Sequence, residues 1–246
     1  MMQRQTEAIV LRTWPFHEAD VLVSLFTREH GRVKGVARHA MKSRRRFGGA
    51  LEPMTYVKAT YAERRGVELV RLEAFEILWS PLRGEVDYAR AAALQFVAEV
   101  LDEALPEGAQ DDALFRLTMA CVAQMQADGG VWMPVTYFGL WVTRLMGWMP
   151  ELGVCAVCGA GLKGGAVWYS VMHDGLTCAR CKRGGSVSLS AESVELVRRI
   201  FREPITAFVE EEWGRGRAAD VRRFAVDMLE RHLERKLMSA RALARL

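Results

Sequence analysis

The sequence contains no asparagine, and no glutamine lies between Gln5 and Gln95. Bidentate amide reading of adenine edges therefore has no donor across most of the first hundred residues. No Gly-x-x-x-x-Gly-Lys-Ser/Thr loop occurs, which argues against direct use of a nucleoside triphosphate. Neither a Gly-x-Ser-x-Gly elbow nor a His-Glu-x-x-His helix occurs, so serine-hydrolase and zincin chemistry lack their residues. The opening stretch, "MMQRQTEAIVLRTWPFHEAD", has no apolar h-region, and no export signal is expected. Internal repeats and low-complexity linkers are absent. Long uninterrupted apolar runs are absent too. Residues 129–150, "GGVWMPVTYFGLWVTRLMGWMP", come closest, but Arg144 interrupts them and Pro134 and four glycines punctuate them. A buried helix is expected there, and no contact with a membrane.

What is present suits a folded chain. Half of the 246 residues are apolar and 26% are charged, enough core for one large domain or two to three small ones. There are only five cysteines, and four lie between residues 155 and 181, "CAVCGAGLKGGAVWYSVMHDGLTCARC". Two Cys-x-x-Cys pairs, with nineteen residues between Cys158 and Cys178, have zinc-ribbon spacing. Clustered cysteines without an export signal suggest metal rather than disulfides. Four thiolates at Cys155, Cys158, Cys178 and Cys181 would close a tetrahedral shell and leave no place for water, so the expected Zn2+ is structural. His173 could replace a cysteine but is expected on the hairpin surface. The fifth cysteine, Cys121, falls on a helical apolar stripe and is expected to be a small buried hydrophobe. The alternatives to zinc are an iron–sulfur cluster or a redox-active dithiol, and a thioredoxin-like site would need a Cys-x-x-Cys opening a helix in a βαβ unit, which is missing.

The order of elements predicts an α+β multidomain chain. Segments 7–13, 20–27, 32–37, 54–61 and 66–77 read as strands, with 28–31 as a turn. Val67 and Leu69 stand on one phase and Val70, Leu72 and Ala74 on the other, which predicts a bulge or a coiled strand, as barrel closure requires. Five short strands fit a small OB-type barrel, with an SH3-like barrel as the rival. "FHEAD" reads as a polar turn. After Pro81 the period becomes helical. Leu94, Val97, Leu101 and Leu105 mark one helix over 87–105. Leu114, Leu117, Cys121 and Met125 mark the next, capped by Asp111 or Asp112 and stopped at Gly129–Gly130. A buried helix follows over 134–146. Ser190 caps a helix carrying Val194, Val197 and Phe201, which is expected to end before Pro204. A last helix runs from about 218 to the C-terminus, with Val221, Phe224, Met228 and Leu229 inward and an Asp227–Arg231 pair. The expected division is 1–80 barrel, 81–150 and 188–246 helical, and 151–187 ribbon. "GAGLKG" and "GRGRAA" match dinucleotide fingerprints only in letters, since neither sits between a strand and a helix.

The net charge of +4 hides an asymmetry. Residues 31–46, "GRVKGVARHAMKSRRR", hold Arg32, Lys34, Arg38, Lys42, Arg44, Arg45 and Arg46 and no acid, which leaves the rest of the chain at −3. A cationic run on an acidic body predicts a polyanionic partner. Arginine and lysine without amide side chains predict phosphate contacts with little sequence preference. Phe16, Phe47, Tyr56 and Tyr61 could stack on bases, though most are expected in the core. From the residues alone, a zinc-ribbon RNA-binding or transcription accessory protein also fits.

The stretch "AIVLRTWPFHEADVLVSLFTREHGRVKGVARHAMKSRRRFGGALEPMTYVKATY", together with "CAVCG…CARC", resembles the bacterial RecO family of recombination mediators. The likeness covers nearly the whole chain. One departure is "HDGLTC", which lacks the paired glycines often seen before the second cysteine pair. The resemblance implies an OB-fold N-terminal domain, a helical bundle and an inserted four-cysteine zinc ribbon. It implies a non-enzymatic, cytoplasmic, nucleoid-associated protein that binds single- and double-stranded DNA and anneals complementary strands. It implies RecR and the C-terminal tail of single-stranded DNA-binding protein as partners, so that RecA can load. By matching position, the seven cations of 31–46 would contact DNA. For the acidic, apolar-ended tail, an apolar cleft with a cationic rim is expected in the helical part.

Overall fold

The computed structural model describes residues 2–64, 66–81, 83, 87–126 and 130–246, without the side chain of Arg44. Contacts divide the chain into two compact units. Met1–Thr118 with Leu237–Leu246 form the first, and Met119–Lys236 form the second.

The first unit opens with β1 (Met2–Phe16), β2 (Asp20–Thr27) and β3 (Gly31–Ala37). A 3-10 turn (Ala40–Lys42) and a one-turn helix, α1 (Arg44–Phe47), lead to β4 (Tyr56–Glu63) and β5 (Val70–Trp79). The sheet closes in the order β1-β2-β3-β5-β4. β3 and β5 are parallel and every other pair is antiparallel. This is the OB-type Greek-key barrel, and the parallel pair rules out the SH3-like rival. Alternate residues Val21, Val23 and Leu25 of β2 point into the barrel core with Ala8, Val10, Val57, Ala59 and Leu72. The other face of β2 is buried as well, which is why it reads as a continuous apolar run. Phe26 meets Phe115 edge-on at 5.2 Å, and Ser24 donates to Asp102 at 2.6 Å.

The expected phase switch at Leu69/Val70 falls where β5 begins, so Val67 and Leu69 stand outside the strand and are exposed. The irregularities of β5 lie instead at Glu73, where Thr60 pairs with Ala74 and Tyr61 with Leu72, and at Leu78, where Tyr56 pairs with Trp79 and Val57 with Ile77. "FHEAD" forms the tight β1–β2 turn, with His17 at φ 55.

Helix α2 (Tyr88–Ala104) is capped by Asp87, whose carboxylate accepts from Arg90 N at 2.7 Å, and it buries Leu94, Val97 and Leu101. Asp111 caps α3 (Asp112–Gln126) by accepting from Leu114 N at 2.8 Å. Of its expected stop, Gly129 lies outside the described residues, and Gly130 takes the left-handed φ of 78.

The second unit is built on α4 (Trp132–Leu145), buried at Met133, Val135, Phe138, Leu140 and Val142. Among the described residues, no helix is long and apolar enough to cross a membrane. β6 (Val167–Ser170), β7 (His173–Thr177) and β8 (Val187–Leu189) form a three-stranded sheet in the order β7-β6-β8. Ser190 caps α5 (Ala191–Ile200) through Ser193 N at 3.0 Å. In α6 (Ala219–His232), Val221, Phe224, Met228 and Leu229 are buried as their spacing predicts.

The expected Asp227–Arg231 pair is not formed. Asp227 accepts from Tyr169 Oη at 2.7 Å, and Arg231 pairs with Asp174 at 2.6 Å. Both side chains are drawn off the helix surface by the ribbon packed against it. The single C-terminal helix is also corrected. α6 ends at His232, Glu234 turns left-handed at φ 53, and a separate α7 (Met238–Leu243) returns to the first unit. There the Glu99 carboxylate of α2 caps it, accepting from Met238 N at 3.0 Å and Ser239 N at 2.8 Å.

Candidate nucleic-acid interface and metal centre

The ribbon is two tight knuckles facing one another. Gly159 N donates to Cys155 O at 2.9 Å, and Cys181 N to Cys178 O at 3.0 Å, so each Cys-x-x-Cys pair turns both sulfurs to one side. The ligand atoms of Cys155, Cys158, Cys178 and Cys181 lie within 4.8 Å of one another, and Cys158 and Cys178 are 3.9 Å apart. Four sulfurs about 2.3 Å from a central zinc stand roughly 3.8 Å apart, so the donor set fits that ion and is far too open for disulfides. Backbone N–H groups, first that of Cys158, hold the Cys155 thiol down, to about 6. Hydrogen bonds from neighbouring sulfurs, first Cys158, push Cys181 up to about 12. Four thiolates so close need a cation between them.

Gly175 makes the approach possible. Its φ is +84, and a Cβ there would sit 2.4 Å from Ala156 Cβ in the first knuckle. One glycine suffices where paired glycines are often seen. His173 is exposed, faces Arg183 at 3.4 Å and stands outside the sulfur cluster. Cys121 is fully buried, which pushes its thiol far up and leaves it inert.

The cationic run is not a solvated loop. It forms the cap between β3 and β4, and apolar residues set among the cations anchor it: Ala40, Phe47 and Ala50 lie in the barrel core. The β1–β2 turn pins it further, with Asp20 accepting from His39 N at 2.7 Å and Ala19 O accepting from Met41 N at 3.2 Å. The seven cations then separate. Arg32 bonds to Asp102 O and pairs with Glu107 at 3.4 Å, and Lys34 pairs with Glu107 at 3.1 Å. Arg46 is built into the cap, donating to Arg38 O at 2.7 Å and Ser43 Oγ at 3.1 Å and lying over the Phe47 ring. Arg38, Lys42 and Arg45 are exposed, and no acid among the described residues pairs with them. Arg44 lies in α1 with its side chain outside the described residues.

Of the four aromatic candidates, Phe47 and Tyr61 are buried in the core and Tyr56 is half-buried beside Phe115 at 6.2 Å. Phe16 alone lines an open groove, of about 430 Å³, between the ends of β1 and β3 and the β4–β5 hairpin. That groove adds two cations the sequence reading missed, Arg64 and Arg71. Their signal was the cationic hairpin "ERRGVELVR", placed where an OB barrel carries its last connecting loop.

Comparison with known proteins agrees with this architecture. Residues 1–81 match the family model described as recombination protein O N terminal, and residues 85–241 match recombination protein O C terminal. The chain is 51% identical over 245 residues to the DNA repair protein RecO of Koribacter versatilis, covering all of both chains. The chain belongs to the RecO family. It is also 33% identical to the RecO of Anaeromyxobacter dehalogenans strain 2CP-1, over 99% of this chain and 96% of that one. The RecO of Geobacter sulfurreducens is 34% identical over 79% of each chain. The chain is thus a DNA repair protein of the RecO family, with a four-cysteine cluster able to hold a metal ion.

Two surfaces of the second unit bear on the cleft expected in RecO's helical part. A cleft of about 310 Å³ is lined by Trp148, Met149, Pro150 and Met228, but Arg231 on its rim is already neutralised by Asp174, and Glu151 lines it too. On the α4–α5 face, exposed Arg144 lies 4.6 Å over the Phe201 ring and 5.4 Å from Trp141, with no acidic partner among the described residues.

Proposed function

We propose that this RecO-family chain is a recombination mediator that holds DNA, single- or double-stranded, by its phosphates along the barrel cap. It anneals complementary single strands and, with RecR, helps RecA load onto DNA coated by single-stranded DNA-binding protein. The observation that supports this reading is the sorting of the cationic run: Arg38, Lys42 and Arg45 stand unpaired on a rim that the barrel core holds rigid. Cations already neutralised by acids release no counterions from DNA, whereas unpaired ones do. Arg32 and Lys34, which the resemblance places among the DNA contacts, share the one carboxylate of Glu107, so together they carry a single uncompensated charge and add less to phosphate binding than the three cap cations.

The metal at Cys155, Cys158, Cys178 and Cys181 is a structural zinc. It holds the ribbon, and through Tyr169 and Arg231 the ribbon holds α6. The acidic, apolar-ended tail of single-stranded DNA-binding protein is suited to the Arg144–Phe201–Trp141 surface, where one exposed cation lies over two half-buried aromatic rings. The chain acts by binding, without nucleotide turnover.

The test is annealing of complementary strands coated with single-stranded DNA-binding protein. The purified chain should accelerate duplex formation without nucleotide. No acceleration at any ratio of protein to DNA would remove the proposal.

A further inference from the structure

The groove that holds Phe16 differs from the rest of the cationic cap because its lining is mostly apolar. Phe16, Val36, Val67 and Leu69 line it, and three cations, Arg38, Arg64 and Arg71, stand around it. Val67 is 54% exposed and Leu69 37%. Phe16 is half-buried, with its ring 4.4 Å from that of His17. None of the three arginines has an acidic partner among the described residues. From β1 to β3, before the cap, the arginines are matched: Arg4 with Glu63, Arg12 with Asp102 and Glu103, Arg28 with Glu7 and Asp112, Arg32 with Glu107. An apolar slot ringed by unmatched cations is complementary to a ligand with a flat apolar body and flanking negative charges.

We propose that this groove takes an unstacked base of a single DNA strand, with Arg38, Arg64 and Arg71 on the neighbouring phosphates, and so makes the protein prefer single strands to duplex. The inference rests on the reading of the cap as the DNA surface and adds strand choice to it. The groove, at about 430 Å³, lies within the range of small-ligand pockets, about 300–1,000 Å³. A single strand can splay a base into such a slot, where an aromatic ring or a guanidinium plane stacks on it whatever its identity. A duplex keeps its bases paired and stacked inside, and it can offer the groove only its backbone. The phosphate-binding cations of the cap serve both forms equally. The slot serves one.

The experiment measures affinity for a thymine homopolymer and for a blunt mixed-sequence duplex of equal length, at several salt concentrations, with the whole protein. The groove variant is Phe16→Ser with Leu69→Ser, and the cap variant is Lys42→Ala with Arg45→Ala. In the groove variant, single-strand affinity should fall roughly tenfold, duplex affinity should hold, and the salt slope should be unchanged. In the cap variant, both affinities and both slopes should fall together. Equal loss for both substrates in the groove variant, or no loss, overturns the slot while leaving the cap reading intact. A cap variant that binds both forms normally overturns the cap reading instead. A single 2-aminopurine placed in the strand gives an independent readout. Its emission should change on binding to wild type and change less with the groove variant, and identical spectra for the two proteins would count against the slot.

Discussion

Gly35 of β3 lies against Val70 of β5 with no room for a side chain between them. A Cβ on Gly35 would stand 2.6 Å from Val70 Cγ2 and 2.8 Å from Val70 O. This is the parallel seam that closes the barrel, running from Gly35–Val70 to Ala37–Leu72. Gly35→Ala must push β5 away or break the seam, at a cost of about 1–3 kcal/mol. Urea unfolding should show that loss, and DNA binding should weaken because Val36 and Val70 line the groove next to the seam. An unchanged midpoint would mean that the seam can open without cost.

The ribbon is tied to α6 by one buried phenol. Tyr169 donates to Asp227 at 2.7 Å and meets the Phe224 ring at 4.8 Å. Burial, with the Asp227 hydrogen bond, raises the Tyr169 pKa well above the ordinary value of about 10. In the folded state the neutral phenol is favoured, so its contribution is complete below pH 10 and declines as pH rises above it. Tyr169→Phe should cost about 1 kcal/mol at neutral pH. Its stability should then fall less steeply than wild type between pH 10 and 12, as measured by denaturant melts. Parallel curves would show that this phenol does not govern alkaline stability.

Metal content separates a structural role from a decorative one. Elemental analysis should return one zinc per chain, and Cys158→Ser, at the exposed ligand, should lose it. Binding energies of structural zinc are of order 10 kcal/mol, so the second unit should unfold on chelation. The barrel contains no cysteine, and single-strand binding by its cap should survive in the same sample. A metal-free wild type with unchanged melting would contradict the assignment.

Arg144 gives a test for the partner tail. Arg144→Glu places a negative charge over Phe201 and Trp141 where an acidic tail would lie. Affinity for a peptide of the tail of single-stranded DNA-binding protein should drop at least tenfold, and added salt should weaken wild-type binding. Single-strand DNA affinity should not change. Equal peptide binding by wild type and variant would send the tail to another surface.

Much of this was legible in the residues, because local rules govern it. The β-branched runs became strands, Asp111 and Ser190 became caps, and the cysteine spacing brought four sulfurs together. What was not legible shares one cause. Whether a cation is spent on an ion pair depends on partners far away in sequence. Arg32 and Lys34 meet Glu107 across more than seventy residues, and Arg231 abandons Asp227 for Asp174. The fold of the cap is not legible because Phe47 and Ala50 are lone apolar residues among charges, without the period that marks a helix. Arg64 and Arg71 became neighbours of Phe16 only once the barrel closed.

If DNA is held by the unpaired cap cations, and not by the whole basic run, the two groups must differ in the counterions they release. Salt dependence of single-strand affinity reads that difference, comparing Arg38→Ala with Lys42→Ala and Arg45→Ala against Arg32→Ala with Lys34→Ala. With about 0.7 counterions released per phosphate contact, the cap triple variant should flatten the log–log slope by about two units. The Arg32 and Lys34 variant should flatten it by no more than about 0.7, because the single carboxylate of Glu107 offsets one of the two charges. Equal flattening by both variants, or none by the triple, would contradict it.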